Sequence, residues 1–464
     1  MNNEQNSKIV HAGIIGTGQF ATAIVTQSMM VERLHIPIVA DVDVEAAQQA
    51  YQFAGIPAEE VAVCENRQSA LNAIERGKRV IVPDASLMMD LPLDVVVEAT
   101  GMPEAGVRHA LAAIEYGKHV AMVNKETDAT VGPMLSHLAA QAGVVYTQVD
   151  GDQHGLLIGL VQWAQELGLT VLSGGKSRDA EYIYDLFERT VTCRRRQIEI
   201  AEQDMQWLRP IPVGGAKEYV QARKALFAAL PQVGGFDLVE MAIAANATGL
   251  KPDMTISDAG IAGISNIHCP SAMISEISCI LCPEKDYGIL QGGGIVDSVS
   301  CLRQAHEAGL GGGVFIVVSC ENNYSQKILT TKGLIANHQD TTALIYRPHH
   351  LCGVETPITI LCAGLLGITT GASKQQPVVD IVAKAKRTLH AGEIVGNDHS
   401  PDLEFFMQTA TPITSNTPIP IHMANGNQLQ TTVPAGTFIT RDMVKMPENS
   451  ALWPLRDQQD QYWI

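Results

Sequence analysis

Apolar and polar positions along the first third of the chain follow two rhythms. Short runs rich in Val and Ile (HAGIIG, IPIVAD, RVIVPD, DVVVEATG, HVAMVNK and VVYTQVDGD) each have the length of a buried strand. Helically spaced stretches separate several of them. The clearest, PEAGVRHALAAIEYG, has Pro103 near its start and Gly117 just past its end. Strand, helix, strand, helix with hydrophobic strands predicts an α/β fold, a parallel sheet with helices on both faces. From about His154 to His350 the pattern is less regular. QGGGIVDSV and AGLGGGVFIVV read as glycine turns entering strands. LVEMAIAANATGL reads as a helix that buries Leu238, Met241, Ala242 and Ala245 and stops at Gly249. VDIVAKAKRTLHAGE reads as a basic helix. After it, ATPITSNTPIPIHMANGNQL and TTVPAGTFITRDMV are short segments broken by Pro, Asn-Gly and Ala-Gly, predicting a small β-rich module. The expected divisions are 1–155, 156–387 and 388–464.

Composition adds three constraints. The 464 residues suggest about three domains at roughly 150 residues each. Charged residues are 17%, below the usual ~25%, which implies extra buried surface and an expected homo-oligomer, dimer or tetramer. The 32 basic and 49 acidic side chains leave a net charge of -17, a surface that repels phosphate backbones and anionic lipid, so nucleic acid and membrane are not expected partners. Arg194, Arg195 and Arg196, the one basic cluster, read as a solvated helix face. No apolar stretch reaches ~18 residues, and the start MNNEQNSK has no secretory character. Nine scattered cysteines, an odd number, suggest reduced thiols and a cytoplasmic protein. Cys279 and Cys282 form a CxxC with no second pair to complete a zinc site, so they read as buried thiols.

The strongest chemical signal is Gly16-Thr17-Gly18-Gln19-Phe20-Ala21, which follows an apolar strand and opens a helix. Gly16 permits the tight turn, Gly18 lets backbone approach a pyrophosphate, and Ala21 allows close packing of helix on strand. Asp41 follows the second strand at the distance expected of the acid that binds ribose hydroxyls. It would repel a 2′-phosphate and has no neighbouring Arg, which favours NAD(H) over NADP(H). Thr100 and Gly101 end the strand VVVEATG and should border the nicotinamide side of the cleft. Asn124-Lys125-Glu126 ends the next, placing a lysine that can donate to a substrate oxygen, or exchange protons once burial lowers its pKa. Asp150 and Asp152 end the sixth, where they can orient the lysine, act as base or share a divalent Mg or Mn; a turn held by local hydrogen bonds is the rival reading.

These residues resemble the homoserine dehydrogenase type of Rossmann domain. The whole chain is similar to deoxyxylulose-phosphate reductoisomerase-like proteins with a C-terminal SAF-type domain. The resemblance runs through GIIGTGQFA, VEATG, VNKE, VDGDQHG, GGK, VEMAIAANATGLKPD, GIVDSV, GGGVFIVV, YRPHHLCGVETPI and ALWPLRDQQD. It implies an NAD(P)-dependent oxidoreductase or oxidoisomerase acting on a small polyhydroxylated substrate: a sugar acid, sugar phosphate or hydroxy-ketone. It places Lys125, Asp150, Asp152, Lys176 and Glu240 on matching family positions, with His349 and His350 in the matching YRPHHL run. Arg347 there offers a planar fork for a carboxylate or phosphate; the alternative is a structural loop in which Arg347 pairs with a protein carboxylate. Val233-Gly234-Gly235-Phe236, the SRDAEYIYD stretch and Met241 depart from the family patterns and imply a changed substrate. A non-redox lyase or isomerase recycling a tightly held NAD, or a dinucleotide-binding scaffold, is the alternative function.

Overall fold

The computed structural model describes residues 8–463; the polar start at residues 1–7 lies outside them. Seven strands form the first sheet: β1 (Val10–Ile15), β2 (Leu34–Ala40), β3 (Val61–Val63), β4 (Arg79–Val82), β5 (Val95–Glu98), β6 (His119–Met122) and β7 (Tyr146–Gln148). Their order is β3-β4-β2-β1-β5-β6-β7, and every neighbouring pair is parallel. All six expected strands are present. The extra one, β3, is three residues of half-exposed edge, too short and too solvated to show as an apolar run. Helices α1 (Gln19–Ser28), α2 (Val44–Phe53), α3 (Arg67–Glu75), α4 (Pro103–Glu115) and α5 (Lys125–Gln141) lie in the crossovers, and α6 (Gln153–Glu166) leads out of the sheet. Because β1 and β5 are neighbours although distant in sequence, the connections leave them in opposite directions. A crevice opens at their carboxyl ends, where Gly16 and Thr100 stand.

The second sheet is centred on β8 (Thr170–Ser177), parallel to Ile295–Gln304 and antiparallel to Val314–Ser319. The two glycine-rich turns lead into these partner strands as expected. Helix α7 (Ala216–Leu226) lies on the outside, whereas α8 (Gly235–Thr248) is apolar nearly all round and runs through the middle of the protein. It packs on α5, α6 and three later strands, and ends at Gly249, whose φ of 78° closes the helix.

Two expectations are corrected. The stretch read as a basic helix begins as a strand, Val379–Ala385, paired antiparallel with Leu403–Thr409 over seven residues. The β-branched Val379, Ile381 and Val382 suit that pairing. Because both faces of the strand are covered, its apolar residues lose the alternation that would have marked it. Arg194 and Arg195 are solvated, but at the turn of a β-hairpin between Thr190–Cys193 and Arg196–Glu199, where Arg194 takes a φ of 53°. The β-rich tail consists mainly of isolated bridges, and its last helix, Leu452–Trp463, folds back onto α4 and α5. All nine cysteines are free; burial raises the thiol of Cys279 and pushes that of Cys282 up to about 12. Among the described residues no helix is long and apolar enough to cross a membrane.

Candidate active site

The crevice holds two adjoining cavities. The first, about 510 Å³, is lined by Gly16, Thr17, Gly18, Asp41, Thr100 and His109, among others. Gly16 has a φ of 86°, and a side chain there would meet the Ala99 carbonyl oxygen at 2.8 Å, so the turn requires glycine. Gly18 caps α1 with no side-chain hydrogen bond, and a Cβ on it would meet nothing within 4 Å. The free N–H groups of the helix end therefore face open space, an arrangement that suits an anion. Ala21 is buried beneath them, as close packing requires. Asp41 has a second task that the sequence did not show. Its Oδ2 accepts from the Thr17 N–H at 2.7 Å and the Thr17 hydroxyl at 2.5 Å, and its Oδ1 from the Asp43 N–H at 2.9 Å, bracing the glycine turn. Gln19 is exposed, while Phe20 and Gly101 face the second cavity. Asn124 lines neither cavity: it caps α5 by accepting from the Thr127 N–H at 3.0 Å, and its amide donates to the Thr100 hydroxyl at 3.2 Å and the Met102 carbonyl at 3.1 Å.

The second cavity, about 460 Å³, shares Ala99 with the first and is lined by Lys125, Asp152, Lys176, Phe236, Glu240 and His350, among others. Four elements deliver the charged groups: Lys125 starts α5, Asp152 caps α6, Lys176 lies in β8 and Glu240 in α8. Lys125 Nζ stands 2.5 Å from Glu240 Oε1 and 3.2 Å from Asp152 Oδ1. Lys176 Nζ stands 2.5 Å from Glu240 Oε2 and 2.9 Å from Asp237 Oδ1, and Asp237 Oδ2 accepts from Arg178 Nε at 3.1 Å. The result is a chain of alternating sign, Asp152–Lys125–Glu240–Lys176–Asp237–Arg178, with no surplus charge. Burial alone would lower both lysine pKa values, but Asp152 and Glu240 around Lys125, and Glu240 and Asp237 around Lys176, outweigh it and raise them. Glu240 is buried, which opposes its charge, yet the two lysines hold its carboxyl well below the usual range. The expectation of a lysine with lowered pKa is thus reversed, because the strand end that buries Lys125 also surrounds it with carboxylates.

The sequence reading missed Asp237 and Arg178. Lys176 and Arg178 are two residues apart in extended chain, and Asp237 and Glu240 three apart on a helix, so each pair shares a face. That spacing was the available signal. Asp150 stands outside the ion chain. Burial and the neighbouring Glu355 raise its carboxyl to about 6, against the opposing pull of Arg347. Arg347 itself pairs with Glu355, as the structural-loop alternative required, and Glu355 Oε2 is buried without a partner among the described residues. His350 lines the second cavity with Nδ1 2.6 Å from the Gly312 carbonyl; hydrogen bonding to Cys352 outweighs burial and raises its pKa to about 9. His349 is exposed and lines neither cavity. Among the described residues no three His, Cys, Asp or Glu side chains are grouped to hold a metal ion. Asp152 faces Lys125, and Asp150 sits beside Glu355, so this pair does not fit a shared divalent ion.

Residues 38–148 match the homoserine dehydrogenase NAD binding domain, and residues 225–356 match the catalytic domain of oxidoreductase DRL. Over 80 residues the chain is 36% identical to 1-deoxy-D-xylulose 5-phosphate reductoisomerase of Leptospira biflexa, covering 17% of this chain and 21% of that protein. Over 90 residues it is 34% identical to the same-named protein of Rhodopirellula baltica, covering 19% and 20%. The chain thus spans about a fifth of the length of each curated relative (21% and 20%). A probable dehydrogenase from Thermotoga maritima is similar over 78% of this chain and 91% of that one, at 12% identity and a TM-score of 0.39. The Zymomonas mobilis reductoisomerase in complex with NADPH is similar over 51% and 58%, at 14% identity and a TM-score of 0.30. The chain thus carries a segment matching a homoserine dehydrogenase-type NAD-binding domain, followed by a segment matching a DRL-type oxidoreductase catalytic domain.

Proposed function

We propose that the protein is an NAD(H)-dependent oxidoreductase that interconverts a carbonyl and a carbinol on a small polyhydroxylated substrate, a hydroxy-ketone or its polyol. The observation that carries this reading is the adjacency of the two cavities across Ala99, one walled by the glycine turn and the other by Lys125. Gly18 and the open end of α1 would hold a pyrophosphate, and Asp41 the ribose hydroxyls. Asp41 and Asp84 line that cavity and, among the described residues, no Lys or Arg does, so a 2′-phosphate would meet two carboxylates there; this favours NAD(H). When bound, the dinucleotide supplies or accepts the hydride.

The chain's own residues handle the proton. Lys125 enters as an ammonium group, kept charged by Asp152 and Glu240. It donates to the substrate oxygen and gives up a proton as negative charge develops there, the task of a general acid in the reducing direction. Lys176 presents a second, almost fully buried ammonium to the same cavity. No arginine lines that cavity and each lysine already faces two carboxylates, which favours a neutral substrate oxygen over a phosphate. The test is turnover of NADH against a panel of hydroxy-ketones, with and without EDTA. Lys125→Met should lower kcat by roughly two orders of magnitude or more while NADH affinity is kept, and EDTA should leave the wild-type rate unchanged. Near-normal turnover by Lys125→Met would remove the lysine from the mechanism.

A further inference from the structure

We propose that His109, oriented by the buried Glu98, is a binding residue for the diphosphate of the dinucleotide's adenosine half; the inference rests on the cofactor reading above. Glu98 ends β5 at the crevice and is 0% exposed. Its Oε1 accepts from the Thr100 hydroxyl at 2.6 Å and lies 3.1 Å from His109 Nδ1, while its Oε2 is buried with no hydrogen-bond partner among the described residues. An apolar side chain like its neighbours Val95 to Val97 would fill that strand end without the cost of an unsatisfied buried oxygen. Glu98 lines neither cavity, so it acts through the two residues it holds, and both of them line the dinucleotide cavity.

The hydrogen-bond inventory of that cavity singles out His109. Its lining contains three side chains able to donate: Thr17, Thr100 and His109. The Thr17 hydroxyl spends its proton on Asp41, and the Thr100 hydroxyl spends its proton on Glu98. Thr100 then accepts from Asn124 Nδ2 at 3.2 Å and from the Met102 N–H at 3.3 Å, which fixes the turn carrying Gly101 at a φ of 67°. His109 shares one face of α4 with Ala105, four residues earlier, and that face continues to Met102; all three line the cavity. With Nδ1 turned to Glu98, Nε2 is the ring nitrogen left for a ligand. Both charged residues lining the cavity, Asp41 and Asp84, are acidic, so a diphosphate has His109 and the backbone N–H groups of α1 as its donors. A ring between Glu98 and a phosphate donates at both nitrogens, a charge-assisted arrangement.

Calorimetry on the full chain with ADP-ribose, and with adenosine as the probe lacking phosphates, tests the assignment. His109→Ala should weaken ADP-ribose at least tenfold and adenosine less than threefold, at an unchanged Tm. Glu98→Gln should also weaken ADP-ribose, because an amide can donate to Nδ1 and no longer enforces the proton there. Unchanged ADP-ribose affinity in a folded His109→Ala protein would overturn the proposal. So would a Glu98→Gln protein that loses Tm but binds ADP-ribose normally, since Glu98 would then only support the fold. Wild-type protein that binds neither ADP-ribose nor NADH would instead overturn the cofactor reading on which this rests.

Discussion

Glu240 is shared by two ammonium groups, Lys125 at 2.5 Å and Lys176 at 2.5 Å, and acts with Asp152 and Asp237 to keep both charged. Glu240→Gln keeps the shape and removes the charge, leaving Lys125 with Asp152 and Lys176 with Asp237. Breaking a buried pair of this kind costs about 3–5 kcal/mol, so chemical denaturation should show a clear loss of stability. The lysine pKa values should fall, and the pH above which reduction slows should move down with them. Asp150 gives a second residue-scale test. Its carboxyl, ordinarily 3.8, titrates near 6 in the fold because of burial and Glu355. The folded state therefore binds more protons between those values, and the Asp150 contribution to stability is lost as pH rises from about 4 to 6. Asp150→Asn removes that loss: its Tm advantage over wild type should grow across this interval and stay level above it. Lys125, Asp150 and Asp152 were legible from sequence because each lies two to four residues past the end of a strand of the sheet. Asp237 and Arg178 were not, since their pairing joins an α8 residue to one 59 positions earlier, with three short strands and helix α7 between them.

At the scale of elements, the glycine turn between β1 and α1 separates structural from functional glycine. Gly16 needs its positive φ and its closeness to Ala99, whereas Gly18 has a φ of -63° and open space above it. Gly16→Ala should lower Tm. Gly18→Val should leave Tm near wild type and reduce NADH affinity tenfold or more by filling the space a pyrophosphate needs; unchanged affinity measured by calorimetry would move the cofactor elsewhere. Strands β1, β2 and β4 to β7 and helices α1, α4 and α8 could be read from periodicity because each has one consistent burial pattern. Val379–Ala385 could not. Buried on both faces, it presents VDIVA followed by KAKR, and Asp380, Lys384 and Arg387, spaced by four and three, imitate the polar stripe of a helix.

Across the whole molecule, the chain's last helix completes the support of the site. Leu452–Trp463 packs on α5, the helix whose first residue is Lys125. Arg456, wholly buried, bridges Asp380 at 2.5 and 2.7 Å and Asp460 at 2.7 Å, and Gln459 bonds Met134 and Thr130 of α5. Arg456→Ala leaves Asp380 buried and unpaired, and a loss of about 3–5 kcal/mol is expected. ALWPLRDQQD marked this segment through resemblance alone; nothing in its local pattern indicated that it returns to the first domain.

The central claim is that hydride passes between the two cavities while Lys125 handles the proton. It is tested most directly by supplying NADH deuterated at the transferring position, with a hydroxy-ketone substrate, and weighing the product by mass spectrometry. The account predicts deuterium in the product in step with NADH consumed, and loss of both in Lys125→Met. Product formed without deuterium, or without net NADH oxidation, would contradict it.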